Sequence, residues 1–120
     1  MKLVQLIIQE LGKQYGFLSV VLTDSTGLPL ATSSNGENGD ALAAFVTEML
    51  RVSSQAGNRL MLGKLGELIM IYDQSDRRVI CRRFVAGGHE LILGVLISSQ
   101  KSYRRATNQT IREIQRVWKL

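Results

Sequence analysis

Apolar and polar residues alternate along this chain with two different periods, and these periods predict helices and strands in a definite order. The first stretch, residues 2–14, repeats its apolar positions at helical spacing. Residues 17–24 and 28–33 are instead rich in β-favouring side chains. The turn at Asp24-Ser25-Thr26-Gly27 separates them, because Asp and Ser bond their own backbone and glycine accepts a positive φ. The two stretches therefore predict a β-hairpin, with Pro29 near the start of its second strand or on an outward edge.

The next predicted helix, residues 40–56, is more apolar than a helix that covers only one sheet needs to be. At about 100° per residue its apolar side chains span an arc of roughly 200°, whereas one sheet takes a stripe of little more than about 100°. We therefore expect the helix to pair with the same helix of a second copy; a deep groove within one copy is the alternative. The predicted dimer interface consists of Leu42, Phe45, Val46, Met49, Leu50 and Val52. Asp40 is expected at the N-cap or in the first turn, and Gly57 is expected to end the helix.

Three more strands and a last helix complete the pattern. The strands are predicted at about 66–73, 78–85 and 90–98, and the helix at about 101–118. Residues 91–97 are apolar except for Gly94, and residues 68–71 are apolar throughout, so both are expected to be covered on two faces. The chain is thus predicted to be one α+β domain over residues 1–120. It is a three-layer α/β/α sandwich around a five-stranded antiparallel sheet, in the order α-β-β-α-β-β-β-α.

The residue types that carry chemistry are scarce in this chain. Cys81 is the single cysteine and His89 the single histidine, so an internal disulfide and a multi-cysteine metal site are excluded. Cys81 is expected to be a buried small hydrophobe in mid-strand, and His89 a turn residue. The glycine-rich pieces at 35–39 and 86–89 do not match a phosphate-binding motif. We predict no enzyme, no catalytic or metal-binding residues and no cofactor. Without an apolar run near 18 residues or a signal peptide, the protein is predicted to be cytoplasmic.

Positive charge is concentrated in two places, although the formal net charge is only +5. Residues 77–83 hold four arginines, for which solubility and protection of a strand edge are the default explanation. The last predicted helix carries a basic stripe that consists of Lys101, Arg105, Arg112, Arg116 and Lys119. This stripe is either a solvated outer face or a contact for an acidic protein or an anionic membrane. Nucleic acid is an unlikely partner, because Tyr103 and Trp118 are expected on the core side and no aromatic residue interleaves the stripe.

The order of these elements resembles the roadblock / dynein light chain family. The likeness is carried by GFLSVVLTDSTGLPLATSS, by the alanine-rich GDALAAFVTEMLRVSSQAG, and by LGELIMIYDQSDRRVICRRFVAGGHELILGVLI. The resemblance covers nearly the whole chain and implies a non-enzymatic, profilin-like fold. It also implies that two copies pair through their central helices and that their sheets join edge to edge. The third helix is longer and more basic than the family pattern needs.

The resemblance implies a role in signalling by protein–protein interaction. Family members are scaffolds or regulators of small Ras-like GTPases, or adaptors on dynein and lysosomal membranes. A GTPase would meet the polar sector of the central helix, which consists of Ala44, Thr47, Glu48, Arg51 and Gln55. We therefore expect a homodimeric scaffold that modulates the nucleotide cycle of a small GTPase. The alternatives are a structural adaptor that uses the basic helix, and a small-molecule sensor domain.

Overall fold

The predicted order of helices and strands is confirmed by a computed structural model that describes residues 2–33 and 38–118. The elements are α1 (Lys2–Tyr15), β1 (Ser19–Asp24), β2 (Pro29–Thr32), α2 (Gly39–Arg59), β3 (Glu67–Ile71), β4 (Arg77–Ala86), β5 (His89–Ser98) and α3 (Arg104–Val117). The predicted α+β class is therefore correct. Most of the glycine-rich loop at 35–39, and Lys119 of the basic stripe, lie outside the described residues.

The five strands form one antiparallel sheet in the order β2-β1-β5-β4-β3. The middle strand is β5, whose residues 91–95 are all buried, as its continuous apolar pattern predicted. The same expectation was wrong for residues 68–71. They belong to β3, which is an edge strand, and Ile71 is 63% exposed. An apolar run alone does not say whether a strand is central, because an edge that pairs with another molecule has the same composition.

Two cores lie on the two faces of this sheet. Helices α1 and α3 cover one face, over a core that includes Ile8, Phe17 and Ile114. Helix α2 covers the other face, where Val46 packs with Val21 of β1. Each face is therefore closed by apolar packing, and the predicted three-layer arrangement follows.

The hairpin of β1 and β2 is built as its sequence predicted. One carboxylate oxygen of Asp24 accepts hydrogen bonds from the hydroxyl and backbone N–H of Thr26, at 2.7 and 2.9 Å, and from the N–H of Leu28 at 3.1 Å. These bonds, that of the Thr26 hydroxyl above all, lower the pKa of Asp24. Gly27 takes a φ of 93°, and Pro29 is the first residue of β2.

Two helix boundaries differ from the prediction. Helix α2 continues past Gly57 to Arg59, because the carbonyl of Gly57 accepts bonds from the backbone N–H groups of Leu60 and Leu62. The chain reverses only at Met61, which has a φ of 58°. Helix α3 begins at Arg104 rather than near residue 101, since the backbone N–H of Lys101 bonds to the carbonyl of Ser98 in a turn.

Candidate protein-binding surface

The apolar arc of α2 divides into a buried part and an exposed part. Leu42, Val46 and Leu50 belong to the core that α2 forms with its own sheet, and Leu50 is only 3% exposed. These three of the six predicted interface residues therefore have no surface to offer a second copy. Phe45 and Met49 are half-buried, and Val52 is 46% exposed. Some apolar surface is thus left over on one flank of α2, as the width of the arc indicated.

The predicted polar sector of α2 lies on the outside of the molecule. Ala44 and Gln55 are exposed, and Glu48 forms an ion pair with Arg51 one turn along the helix. The Arg51 guanidinium lowers the pKa of the Glu48 carboxyl through this contact. Thr47 is half-buried, and its hydroxyl donates to the carbonyl of Ala43 at 2.8 Å. The sector therefore presents one acidic and one basic group, held together, on an accessible helix face.

The two edges of the sheet differ in whether a side chain bonds to their outer backbone groups. At the β2 edge, the side-chain amide of Gln5 donates to the carbonyl of Thr32 at 2.8 Å and accepts from its N–H at 3.3 Å. Gln5 thus takes the place of a neighbouring strand. Within the described residues, no comparable group reaches the outer edge of β3. An unprotected apolar edge is a template for pairing with another chain.

Several exposed apolar residues that lead into and along β3 went unrecognised in the sequence. Leu60, Met61 and Leu62 follow α2 directly and are all exposed, Met61 by 91%. On β3 and just after it, Ile69, Ile71 and Tyr72 are exposed too. The available signal was three successive large apolar residues between the predicted helix at 40–56 and the predicted strand at 66–73, where polar residues are the rule. Exposed apolar residues concentrated in one segment are typical of an interaction site.

A shallow groove lies beside this edge, at the turn between β3 and β4. Its volume is about 550 Å³. Its lining consists of Tyr72, Asp73, Gln74, Ser75, Arg77, Val79 and Leu96. Val79 and Leu96 belong to or pack against the same core as α2, so the groove lies on the face of the sheet that α2 covers. Because α2 packs mainly over β1 and β5, this end of the face is left open to a partner.

The predicted basic stripe lies only partly on α3. Arg105, Arg112 and Arg116 are exposed on the helix, whereas Lys101 is exposed in the turn before it. Tyr103 is half-buried at the start of α3, where its hydroxyl donates to a Glu67 carboxylate oxygen at 3.0 Å.

The explanation of the four arginines at 77–83 as edge protection was wrong. Their strand, β4, lies between β3 and β5, and its residues 78–82 pair with both neighbours, so these arginines do not mark an edge of the sheet. Arg82 instead crosses to α3, where it donates to the hydroxyl of Thr107 at 2.9 Å and to the side-chain oxygen of Asn108. Arg83 is half-buried on the opposite face, beside α2. Position within the sheet, which the strand's own sequence does not reveal, decides these roles.

Cys81 and His89 are the two side chains whose chemistry would suit a nucleophile or a metal ligand, and they lie on different strands. Cys81 is buried in β4 as predicted, and burial raises the pKa of its thiol to about 12. His89 is exposed at the start of β5, with its ring 6.1 Å from that of Trp118. Among the residues that the structure describes, no three His, Cys, Asp or Glu side chains converge on a metal site. In the same part of the chain, no helix is long and apolar enough to cross a membrane.

An antiparallel sheet of five strands, with one helix on one face and two on the other, is the fold of roadblock/LC7 domains. No family model and no curated protein matches this chain. Among solved structures, MglB of Myxococcus xanthus has a TM-score of 0.79 at 11% identity, over 98% of this chain and 95% of that one. A roadblock/LC7 domain from Streptomyces avermitilis has a TM-score of 0.77 at 15% identity, over 93% and 94%. Acanthamoeba castellanii profilin IA has a TM-score of 0.50 at 10% identity, over 93% of each chain. The roadblock-like and profilin-like predictions are thereby confirmed at the level of the fold.

Proposed function

We propose that this protein is a non-enzymatic homodimeric scaffold that binds a small Ras-like GTPase and modulates its nucleotide cycle. The observation that carries the proposal is the apolar surface that a single copy leaves open. It runs along one flank of α2 and the unprotected edge of β3. A second copy can cover this surface, and the roadblock-like fold supports the same mode of pairing.

Pairing of two copies uses two kinds of contact. Phe45, Met49 and Val52 of one α2 would pack against the same residues of its twin, while the two β3 edges would bond to each other. Phe45 of α2 and Leu68 and Met70 of β3 each pack against the core on this face of the sheet, so the helix flank and the edge strand lie on the same side of the molecule. A two-fold axis beside them makes both contacts self-complementary, as a homodimer requires.

The GTPase would dock on the outward face of the paired α2 helices. There the polar sector of Ala44, Thr47, Glu48, Arg51 and Gln55 remains accessible, because it lies away from the apolar flank. A scaffold of this kind acts by favouring one arrangement of the switch loops of the GTPase, and it needs no acid or base of its own.

The test is binding to purified small Ras-like GTPases encoded in the genome that encodes this chain. Each GTPase is loaded with GDP or a non-hydrolysable GTP analogue, and binding and GTP hydrolysis are both measured. We expect at least about tenfold tighter binding to one nucleotide state, within the usual range of coupling between two sites. Arg51→Glu should weaken that binding, because it reverses a charge on the docking face and breaks the ion pair with Glu48.

Arg112→Glu is the matched control for this experiment. It makes the same change on an exposed helix position, but on the opposite layer of the sandwich. Wild-type binding by this variant, together with weakened binding by Arg51→Glu, supports docking on α2. Absence of binding in both nucleotide states contradicts the proposal.

A second candidate is an adaptor that contacts an anionic membrane through the layer of α1 and α3. The observation in its favour is that Leu3 and Leu6 of α1 are exposed in the same layer as Arg105, Arg112 and Arg116. Apolar insertion beside cationic side chains is typical of interfacial helices. Co-sedimentation with vesicles that contain phosphatidylserine, but not with pure phosphatidylcholine vesicles, is the expected result. Leu6→Gln should reduce it; equal recovery with both kinds of vesicle would exclude this candidate.

A further inference from the structure

A second groove, beside the polar flank of α2, contains a cationic side chain with a nitrogen that has no hydrogen-bond partner in the described part of the chain. It lies between α2 and the end of the β4–β5 hairpin, and its volume is about 230 Å³. Its lining consists of Ser25, Thr47, Leu50, Arg51, Ser54, Gln55, Asn58, Arg83, Glu90 and Ile92. This side of α2 is opposite to Phe45, Met49 and Val52, at 100° per residue, so the groove stays open in the proposed dimer.

The burial of Arg83 is the first observation that indicates a ligand in this groove. Its side chain is half-buried, and one terminal guanidinium nitrogen is buried without any hydrogen-bond partner among the described residues. A guanidinium is positively charged in proteins, so its burial takes a charge out of water. A buried charge that nothing compensates is costly, and structures normally supply a counter-charge.

The other charges of the groove do not supply that counter-charge. Arg51 is paired with Glu48 on the outer face of α2. Glu90 lies 3.7 Å from the ammonium nitrogen of Lys64. Arg51 and Glu90, which line the groove, are thus each paired with a residue outside its lining. No ion pair joins Arg83 to either of these groups or to another side chain in residues 2–33 and 38–118.

Ser54 is a second group in the groove that lacks a partner. Its hydroxyl oxygen is buried and forms no hydrogen bond within the described residues. Two buried polar atoms that both lack partners therefore border the same small space, one on α2 and one on β4. Buried polar groups without partners are rare in proteins, and a site for a missing ligand explains two of them together.

The chemistry and size of the groove define the class of ligand. A planar guanidinium fork binds phosphate or carboxylate groups through two parallel hydrogen bonds. A serine hydroxyl and the amides of Gln55 and Asn58 add neutral donors on the α2 side. A volume of about 230 Å³ lies below the range of about 300–1,000 Å³ that whole small-molecule ligands occupy. The groove thus fits one oxyanionic group rather than a nucleotide.

We propose that this groove is an oxyanion-binding site in which Arg83 and Ser54 bond to a phosphate or carboxylate group. Such a group has two possible sources: a free anion, or an acidic side chain of a protein that docks on α2. The site goes beyond the proposed function, because it exists in the single chain and does not depend on a GTPase.

The experiment is a ¹H–¹⁵N NMR titration of the purified chain with inorganic phosphate and, separately, with acetate. Sodium chloride keeps the ionic strength constant. We expect saturable shifts confined to the Arg83 Nε–H and to the amides of Ser25, Ser54 and Asn58. Arg83→Gln should weaken binding at least about tenfold, since it removes the charge and the fork. Ser54→Ala should weaken it by a smaller factor.

Arg78→Gln is the matched control. Arg78 lies on the same strand, is also half-buried and also has a guanidinium nitrogen without a partner, but its side chain is on the other face of the sheet. Wild-type affinity in this variant supports the site. Should Arg83→Gln fail to fold, Ser54→Ala and Arg83→Lys provide the same comparison.

The two probes also distinguish the source of the oxyanion. Tighter binding of phosphate indicates a free or phosphoryl anion, and tighter binding of acetate indicates an acidic side chain. Shifts that do not saturate, that follow the exposed arginines of α3, or that are equal in wild type and Arg83→Gln overturn the proposal.

Discussion

We expect Val52→Glu to convert the proposed dimer into a monomer that keeps its fold. The side chain is 46% exposed on the apolar flank of α2, so a glutamate there stays solvated in a single copy. In the proposed dimer, however, two carboxylates would be buried against apolar side chains near the two-fold axis. Burial of unpaired carboxylates at an interface is costly, and we expect the association to weaken by about 2 kcal/mol or more, which is roughly 30-fold. Sedimentation velocity at micromolar concentration measures the change, and far-UV circular dichroism measures the fold.

Two further variants of α2 separate the interface from the rest of the helix. Ala44→Glu introduces the same side chain at an exposed position of the polar sector, and it should leave the dimer intact. Leu50→Glu should instead unfold the domain, because Leu50 is buried in the core of a single copy. A wild-type protein that sediments as a monomer at these concentrations, or a Val52→Glu variant that remains dimeric, contradicts pairing through this flank.

We expect Gly94→Val to lower the free energy of unfolding by about 1–3 kcal/mol. Gly94 lies in the middle of the central strand, directly beneath α2. A β-carbon at this position would lie 3.0 Å from a methyl carbon of Val21 and 3.1 Å from both methyl carbons of Val46. Such contacts are tighter than nine in ten of those that real β-carbons make, so the side chains of Val21 and Val46 would have to give way by a few tenths of an ångström. The two methyl groups of the new valine add to this crowding, and overpacked cores typically lose about 1–3 kcal/mol.

Gly66→Val is the matched control for this prediction. Gly66 precedes β3, and a β-carbon there would meet no atom within 4 Å. We expect its stability to remain within about 0.5 kcal/mol of wild type, as for most surface substitutions. Urea unfolding followed by circular dichroism compares the two. Equal unfolding midpoints would mean that α2 does not approach β5 as closely as the structure indicates.

Only half of the predicted interface residues of α2 lie on the surface. The positions of apolar residues around a helix do not show how many of them its own sheet will cover. The six residues from Leu42 to Val52 formed one arc in the sequence, yet three of them face the chain's own core. Likewise, the run at residues 68–71 was correctly seen as a strand but wrongly given cover on both faces. Arg83 gave no signal beyond its charge. Its lack of a partner depends on side chains from α2 and β5, which are distant in sequence.

The sequence by itself determined which elements form and in what order, because periodicity and turn chemistry act within a few residues. The helical spacing in α1, the Asp24 turn and the continuous apolar run of β5 are all local signals of this kind. Only the tertiary structure decided which strand lies at the open edge and which flank of α2 remains exposed. It also decided that one guanidinium nitrogen of Arg83 is buried with no hydrogen-bond partner among the residues described. These outcomes depend on the order β2-β1-β5-β4-β3, which brings together residues from opposite ends of the chain.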